Sequence, residues 1–459
     1  MEIGIKQMAH MLKAPLKGGS VDPDAQVSIC TNSRNIQKGQ VFWAIAGDRF
    51  DGHGYVNTCF DKGAIAAVVN RSWHQKYGRS QHAYIPVRDS SAALMQLGKV
   101  YSQLFTIPKV AVTGSNGKTT TKDMLAAVLS VGGPVLATKG NFNNQFGVPF
   151  TLFRLESHHK YAVIEMGSNH PGEIKPLAQT TAADIAVITS IGYSHIEHFK
   201  TLTGVLREKS SITKGFPGKG LLVVNGDDPF LAGLSSSRAY RVLSCGIHAG
   251  DIRARNISTG HDGCPVFRVS GVQFSLPVPG DHNIINALLA IAVGRELGLS
   301  LKKMAASLKQ FTSSGMRMEI NKLKRVLVYN DCYNANPSSV SSALKVLGSS
   351  KIRGRRVAVL GDMLELGGKE KLLHRGLGAE ITKNHVDALF CLGTLSKETV
   401  EGAKQAGMPV DRARNYATLS GLNRALGLYL EQGDAVLVKG SRGMHLEKVI
   451  SYLEKKNNG

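Results

Sequence analysis

Apolar residues fall in short runs set apart by turn residues and helix-length stretches, and the pattern changes twice along the chain. Up to about residue 85, strand-like pieces (Val41–Ala46, Ala64–Val69) alternate with turn-rich stretches such as Asp48-Arg-Phe-Asp-Gly-His-Gly54. From Lys109 the repeat becomes apolar run, turn, helix: Val110–Thr113 before a glycine-rich turn, then Tyr161–Met166, Ile185–Ser190 and Leu221–Asn225. Apolar runs alternating with helices predict a mostly parallel sheet with helices on both faces. Thr312-Ser-Ser-Gly315 predicts a hinge. Beyond it a second such series runs through Arg325–Asn330, Arg356–Gly361, Ala388–Gly393 and Ala435–Lys439. The 459 residues allow about three domains at roughly 150 residues each. The expected fold is α/β: a small N-terminal α/β domain (1–107), a central doubly wound domain (108–313) and a Rossmann-like C-terminal domain (314–459).

The sharpest local feature is Val110-Ala-Val-Thr-Gly-Ser-Asn-Gly-Lys-Thr-Thr120, which leads into a helical stretch. A buried strand, a glycine-rich turn and a helix N-terminus together present unpaired backbone N–H groups to a phosphate. Gly114 and Gly117 allow the tight curvature, with Ser115 and Asn116 between them. Lys118 would reach the β- and γ-phosphates, and the Thr119 hydroxyl, beside Thr120, is placed for Mg²⁺. Val112 stands where the longer form of this loop has its first glycine, so the loop is a shortened G-x-x-G-K-T. It predicts ATP binding and leaves ATPase, kinase, helicase, motor and ligase open.

Composition narrows this choice only slightly. The net charge is +22, which first points to a polyanion and a nucleic-acid-stimulated ATPase. The excess is dispersed, +5, +8 and +9 over the three expected domains, and its densest spot is Lys351-Ile-Arg-Gly-Arg-Arg356. Dispersed charge favours small anionic ligands over nucleic acid. The six cysteines are scattered without a C-x-x-C pair, as in a reducing compartment. Met1–Pro15 has no signal-like apolar stretch, and the longest apolar runs, such as Ala287–Val293, fall short of the ~20 residues that cross a bilayer. A cytoplasmic protein without integral membrane contact is expected.

Further segments resemble the Mur ligases, ATP-dependent amide-forming enzymes of peptidoglycan synthesis, over nearly the whole chain. They are Thr113-Gly-Ser-Asn-Gly-Lys-Thr-Thr120, Gly140-Asn-Phe-Asn-Asn-Gln-Phe-Gly-Val-Pro149 (which holds Asn144), Glu165-Met-Gly-Ser-Asn-His-Pro-Gly-Glu173, Ser194-His-Ile-Glu-His-Phe199 with Lys209 beyond it, and Gly280-Asp-His-Asn-Ile-Ile-Asn286. Glu165 and His195 follow strand-like runs, so both belong at the carboxyl edge of the sheet, where ligands of open α/β sheets gather. The resemblance implies one Mg²⁺ on Thr119 and Glu165 and a second on His195 and Lys209. A lysine ammonium would repel Mg²⁺; the family's matching lysine is carbamylated, which turns +1 into −1. By the same resemblance Asn286 contacts the nucleotide, while Asn283, three residues before it, reads as a helix cap.

In the outer parts, Thr31-Asn-Ser-Arg34, Gly39–Gly47 and Arg49-Phe-Asp-Gly-His53 are similar to the family's UDP-muramoyl-peptide-binding domain. That similarity implies Ser33, Arg34 and Gly47 as substrate contacts. Asn330-Asp-Cys-Tyr-Asn-Ala-Asn-Pro-Ser-Ser339, Gly361–Gly367 and Lys439-Gly-Ser-Arg442 resemble the branch that adds a dipeptide. The branch adding the third amino acid is the alternative. Arg317 and Asp331 would be nucleotide contacts made on closure, Asn144, Asn334 and Asn336 substrate contacts, and Cys332 has no implied role. The implied reaction joins D-alanyl-D-alanine to UDP-N-acetylmuramoyl-tripeptide through an acyl phosphate, with ATP consumed, by a monomer.

Overall fold

A computed structural model describes residues 1, 3–47, 50–260 and 263–458. Arg49, one of the residues of the UDP-binding resemblance, lies outside them. The N-terminal sheet holds β1 (Ile29–Cys30), β2 (Val41–Trp43), β3 (Ala66–Asn70) and β4 (Tyr84–Val87), all parallel and in that order. It is buried on both faces: Val41 and Trp43 enter one core cluster, Phe42 and Ala44 another.

The central sheet has seven parallel strands: β5 (Lys109–Thr113), β6 (Val135–Ala137), β7 (Tyr161–Glu165), β8 (Ile185–Ile188), β9 (Gly220–Asn225), β10 (Tyr240–Gly246) and β11 (Ile252–Arg253). Their order is β11-β10-β9-β8-β5-β7-β6. The chain therefore turns to opposite sides of β5, and its carboxyl end is a switch point where a ligand crevice opens. Strand alternation explains the continuous apolar runs: Val110 and Val112 pack on one face, Ala111 on the other. Two predicted strands end sooner than their apolar runs, at Glu165 and Ile188.

An antiparallel meander, β12 (Arg255–Thr259), β13 (Pro265–Val269) and β14 (Val272–Ser275), interrupts the α/β repeat. The sequence pattern did not predict it, because β12 is exposed along its whole length and shows no apolar period. Its inner rings, Phe267 and Phe274, join the cluster that also contains Ala287–Val293. That longest apolar run is thus a soluble helix, Asp281–Glu296, buried on nearly every side.

The C-terminal sheet comprises β15 (Glu319–Lys322), β16 (Leu327–Asp331), β17 (Arg356–Gly361), β18 (Ala388–Leu392), β19 (Ala413–Tyr416) and β20 (Ala435–Lys439), in the order β15-β16-β20-β17-β18-β19. Only the unpredicted edge strand β15 is antiparallel. Two arginines of the densest basic spot are spent inside this domain, while Lys351 and Arg353 are exposed. Arg355 Nη2 donates to Asp434 Oδ2 (2.8 Å) and the Tyr429 carbonyl (2.6 Å), while Arg356 donates to the Ser350 carbonyl (3.1 Å).

The first two sheets are joined by the helix Ser90–Ser102, whose Tyr101 hydroxyl donates to the Leu155 carbonyl (2.9 Å). The predicted hinge at 312–315 has no regular structure, and its Ser314 hydroxyl bonds Asp123.

Candidate active site

The phosphate loop follows β5 directly. Gly114 and Gly117 have φ of +149° and +79°, and a Cβ on either would meet Thr189 Oγ1 at 2.0 Å or Asn286 Oδ1 at 2.5 Å. Both glycines are therefore required by conformation and by space. The loop is pinned to the segment after β8: Ser115 N–H donates to the Ser190 carbonyl (2.8 Å), and Gly192 N–H to Ser115 Oγ (2.9 Å). The helix Lys118–Leu129 then begins without a side-chain cap, and its first residues, Lys118–Thr120, line the cleft.

Lys118 Nζ folds back onto the Gly114 (2.8 Å) and Ser115 (3.2 Å) carbonyls. Burial pulls its ammonium down to about 8, with Glu165 opposing and Arg317 adding to the shift. Asn286 stands behind the loop, accepting from Thr121 Oγ1 (3.1 Å) and donating to Asn283 Oδ1 (3.0 Å). Asn283 does not cap its helix as expected. It sits inside the first turn, where its amide donates to the Pro279 carbonyl (2.7 Å) and accepts from Asn286 instead of from a backbone N–H.

Glu165 ends β7 and is 2% exposed. Its Oε1 accepts from Asn143 Nδ2 (2.8 Å), whereas Oε2 is buried without a hydrogen-bond partner. A desolvated carboxylate oxygen with no donor is poised for a cation. His195 lies at φ +51°, with Nδ1 2.6 Å from Glu365 Oε2 but without hydrogen-bond alignment. Burial lowers its pKa, and Glu365 opposes that shift.

Lys209 is 1% exposed and does not line the cleft. Its Nζ donates to Ser168 Oγ (2.7 Å), which does line the cleft. Burial first, then the Lys118 charge, drive its pKa down to about 7. Among the described residues no three His, Cys, Asp or Glu side chains gather as a metal site.

The C-terminal domain closes the cleft. Asp331, at the end of β16, is paired with Lys439, at the end of β20 (2.6 Å), and Lys439 also donates to the Asn334 carbonyl (2.8 Å). The Arg317 guanidinium lies 3.8 Å from the centre of the Tyr333 ring. Asn336 caps the helix Pro337–Ser349 and reaches the phosphate loop through Asn116.

A cleft of about 770 Å³ unites Ser115–Thr120, Asn144, Glu165, His195, Asn286, Arg317, Asp331, Asn334 and Asn336. Ser33, Arg34 and Gly47 are not among its lining residues; they sit on the N-terminal domain, where Arg34 and Gly47 are exposed. Sequence reasoning missed Asn143, Lys439 and Glu365. All three stand inside segments already singled out, and Lys439 ends a strand as Glu165 does, so the sheet-edge argument reaches it. Within its segment nothing distinguishes Glu365, which meets His195 across a domain boundary.

Built from three α/β units, two of which line this cleft, the chain belongs to the Mur ligase family. Residues 27–102 match the family's catalytic domain, 112–294 the Mur ligase middle domain, and 316–442 the Mur ligase glutamate ligase domain. Within the family it is similar, end to end, to the UDP-N-acetylmuramoyl-tripeptide--D-alanyl-D-alanine ligase of Bacillus subtilis (strain 168), at 36% identity over 98% of both chains. The protein of the same name from Escherichia coli (strain K12) is 32% identical over 99% of both. Among solved structures, MurF from Acinetobacter baumannii superposes with a TM-score of 0.90 at 30% identity, covering 99% of each chain. MurF ligase from Thermotoga maritima in complex with ADP gives 0.83 at 26% identity, covering 94% of this chain and 97% of that one.

Proposed function

We propose that the chain joins D-alanyl-D-alanine to UDP-N-acetylmuramoyl-tripeptide, with ATP hydrolysed to ADP and phosphate, in peptidoglycan precursor synthesis. The observation that carries this reading is the end-to-end similarity to ligases of that name in a chain whose phosphate loop, Glu165 and 331–339 loop meet in one cleft. The tripeptide carboxylate attacks the γ-phosphate, forming an acyl phosphate and releasing ADP. The dipeptide amine then attacks the acyl carbonyl, losing a proton, and phosphate leaves.

The first step brings two anions together, and the chain's own groups offset the repulsion. Lys118 leaves its loop carbonyls for the phosphates, whose charge restores the pKa that burial had lowered. The helix N-terminus at Lys118 and the Arg317 guanidinium add fixed positive potential. Thr119 and the unpartnered oxygen of Glu165 would hold one Mg²⁺, and His195 with a carbamylated Lys209 a second. Bound there, Mg²⁺ would supply charge neutralisation to the phosphates and the reacting carboxylate. The half-neutral amine of Lys209 supports carbamylation: its lone pair adds to CO2, an N–C bond forms and a proton leaves to solvent. Asn286, Arg317 and Asp331 hold the nucleotide, Asn144, Asn334 and Asn336 the peptide substrates, and Ser33, Arg34 and Gly47 the UDP moiety. Docking of the C-terminal domain excludes water from the acyl phosphate.

The 1–107, 108–313 and 314–459 domains divide the work as UDP-substrate, ATP and ligase units of a cytoplasmic monomer. No helix of the described residues is long and apolar enough to cross a membrane. Phosphate release measured with ATP, UDP-tripeptide and D-alanyl-D-alanine, each omitted in turn, tests the reading. Release should require all three, and a free amino acid should not replace the dipeptide. Release with ATP alone, or stimulated by nucleic acid, would overturn it.

A further inference from the structure

The phosphate loop meets the C-terminal domain through the Asn116 amide, which bonds both Asn336 and Ser338 in an orientation dictated by its surroundings. The Asn116 backbone is tied to the central domain: its N–H donates to Ser190 Oγ (3.0 Å), and its carbonyl accepts from the Thr189 and Ser190 hydroxyls. Its side chain faces the other domain. There Oδ1 accepts from Asn336 Nδ2 (2.7 Å), and Nδ2 donates to Ser338 Oγ (2.8 Å) and, at 3.4 Å, to Asn336 Oδ1.

Asn336 has no freedom to turn its amide over. As the helix cap it must present Oδ1 to Ser339 N–H (2.9 Å), while its own N–H donates to Ser339 Oγ (3.0 Å). Its Nδ2 is therefore forced toward Asn116, which in turn must offer Oδ1 to Asn336 and Nδ2 to Ser338. Only an amide at position 116 supplies both an acceptor and a donor here; aspartate lacks the donor and alanine lacks both.

Ser115, Gly117 and Lys118, the neighbours of Asn116 in the loop, share the cleft with Arg317 and Asp331, which arrive from the same domain as Asn336. We propose that Asn116 and Asn336 form a latch between the phosphate loop and the C-terminal domain, so that nucleotide binding and domain docking favour each other. A ligand held from both sides is bound more tightly by the docked form, and reciprocally its presence favours docking. In the latch both asparagines act on the nucleotide by positioning, a role separate from the peptide contact assigned to Asn336. The latch rests on the reading of this cleft as an ATP site and is independent of which acceptor the enzyme uses.

The test is a double-substitution cycle on the full-length protein, reading affinity for a non-hydrolysable ATP analogue by calorimetry. Asn116→Ala removes the loop side of the latch. Asn336→Ser removes the amide that crosses the boundary while keeping a capping hydroxyl. Each should weaken analogue binding about five- to tenfold, and the double variant no more than the weaker single one. Small-angle scattering should show the analogue compacting the wild-type protein and leaving both variants unchanged. A role confined to the fold of the C-terminal domain would not alter affinity at a loop in another domain. Effects that multiply in the double variant, unchanged affinity in either single variant, or identical scattering responses would each overturn the latch. These readouts use no acceptor, so they stand or fall separately from the phosphate-release assay.

Discussion

Lys209 should capture CO2 near neutral pH, where an ordinary lysine does not. Only the neutral amine reacts, and burial beside Lys118 lowers the Lys209 pKa from 10.5 to about 7. At pH 7.5 about three quarters of the amine is then neutral, against about 0.1% at an ordinary lysine, an advantage of several hundredfold. The carbamate itself would be favoured by the nearby Lys118 charge and disfavoured by Glu208 and Glu173, whose charges act on the same amine. Glu208 is already committed, accepting from Gly172 and Ile174 N–H (both 2.7 Å) at the start of a helix. The assay is ¹³C NMR of protein equilibrated at constant ¹³CO2 pressure between pH 6 and 9. A carbamate signal absent from Lys209→Arg should be present near pH 7 and grow with pH at fixed CO2 pressure, because both the neutral amine and proton release favour it. A lysine with a lowered folded pKa binds fewer protons than its unfolded counterpart between about 7 and 10.5. The CO2-free protein should therefore gain stability as pH rises through that window. A signal equal in wild type and Lys209→Arg, or one absent at neutral pH, would refute the reasoning. Lys209→Ala should lose most activity and regain part of it with short carboxylic acids.

Glu165→Gln keeps an acceptor for Asn143 but puts a neutral amide where the unpartnered oxygen stands. Steady-state phosphate release should fall about a hundredfold or more with the melting temperature nearly unchanged, since charge placed for the transition state is lost while packing is kept. Gly117→Ala meets both φ +79° and Asn286 Oδ1 at 2.5 Å. It should cost about 1–3 kcal/mol of stability and abolish tight nucleotide binding by calorimetry. Gly172→Ala, at φ +91° with nothing within 4 Å, should share the strain but spare the binding. Asp434→Asn strips the charge from a carboxylate that Arg355 and backbone N–H groups hold. It should cost about 2–4 kcal/mol in chemical denaturation of the C-terminal domain. Burial raises the Asp434 pKa, but the Arg355 bonds outweigh burial and hold it below the usual range. The wild-type advantage should therefore persist at neutral pH and vanish as acid protonates the folded carboxyl.

Much of this was legible in the sequence because it is local. Strand, glycine turn and helix N-terminus are consecutive from Lys109 to Leu129, so the phosphate loop could be placed residue by residue. Glu165 and His195 were reachable through the rule that strand ends carry ligands. The antiparallel meander and β15 were not, because their short strands are exposed or alternate in burial and carry no continuous apolar run. That Arg355 is paired with Asp434, 79 positions away, was not legible either, because nothing along the chain links the two.

The sequence by itself determined the strand, glycine turn and helix from Lys109 to Leu129, the α/β repeats and the family they belong to; each depends on neighbours along the chain. Tertiary structure alone decided that Lys209 is buried against Ser168, that Glu165 keeps one oxygen free, and that Asn116 meets Asn336 across 220 positions. Those facts depend on desolvation and on contacts between domains, and neither leaves a period or a spacing in the chain.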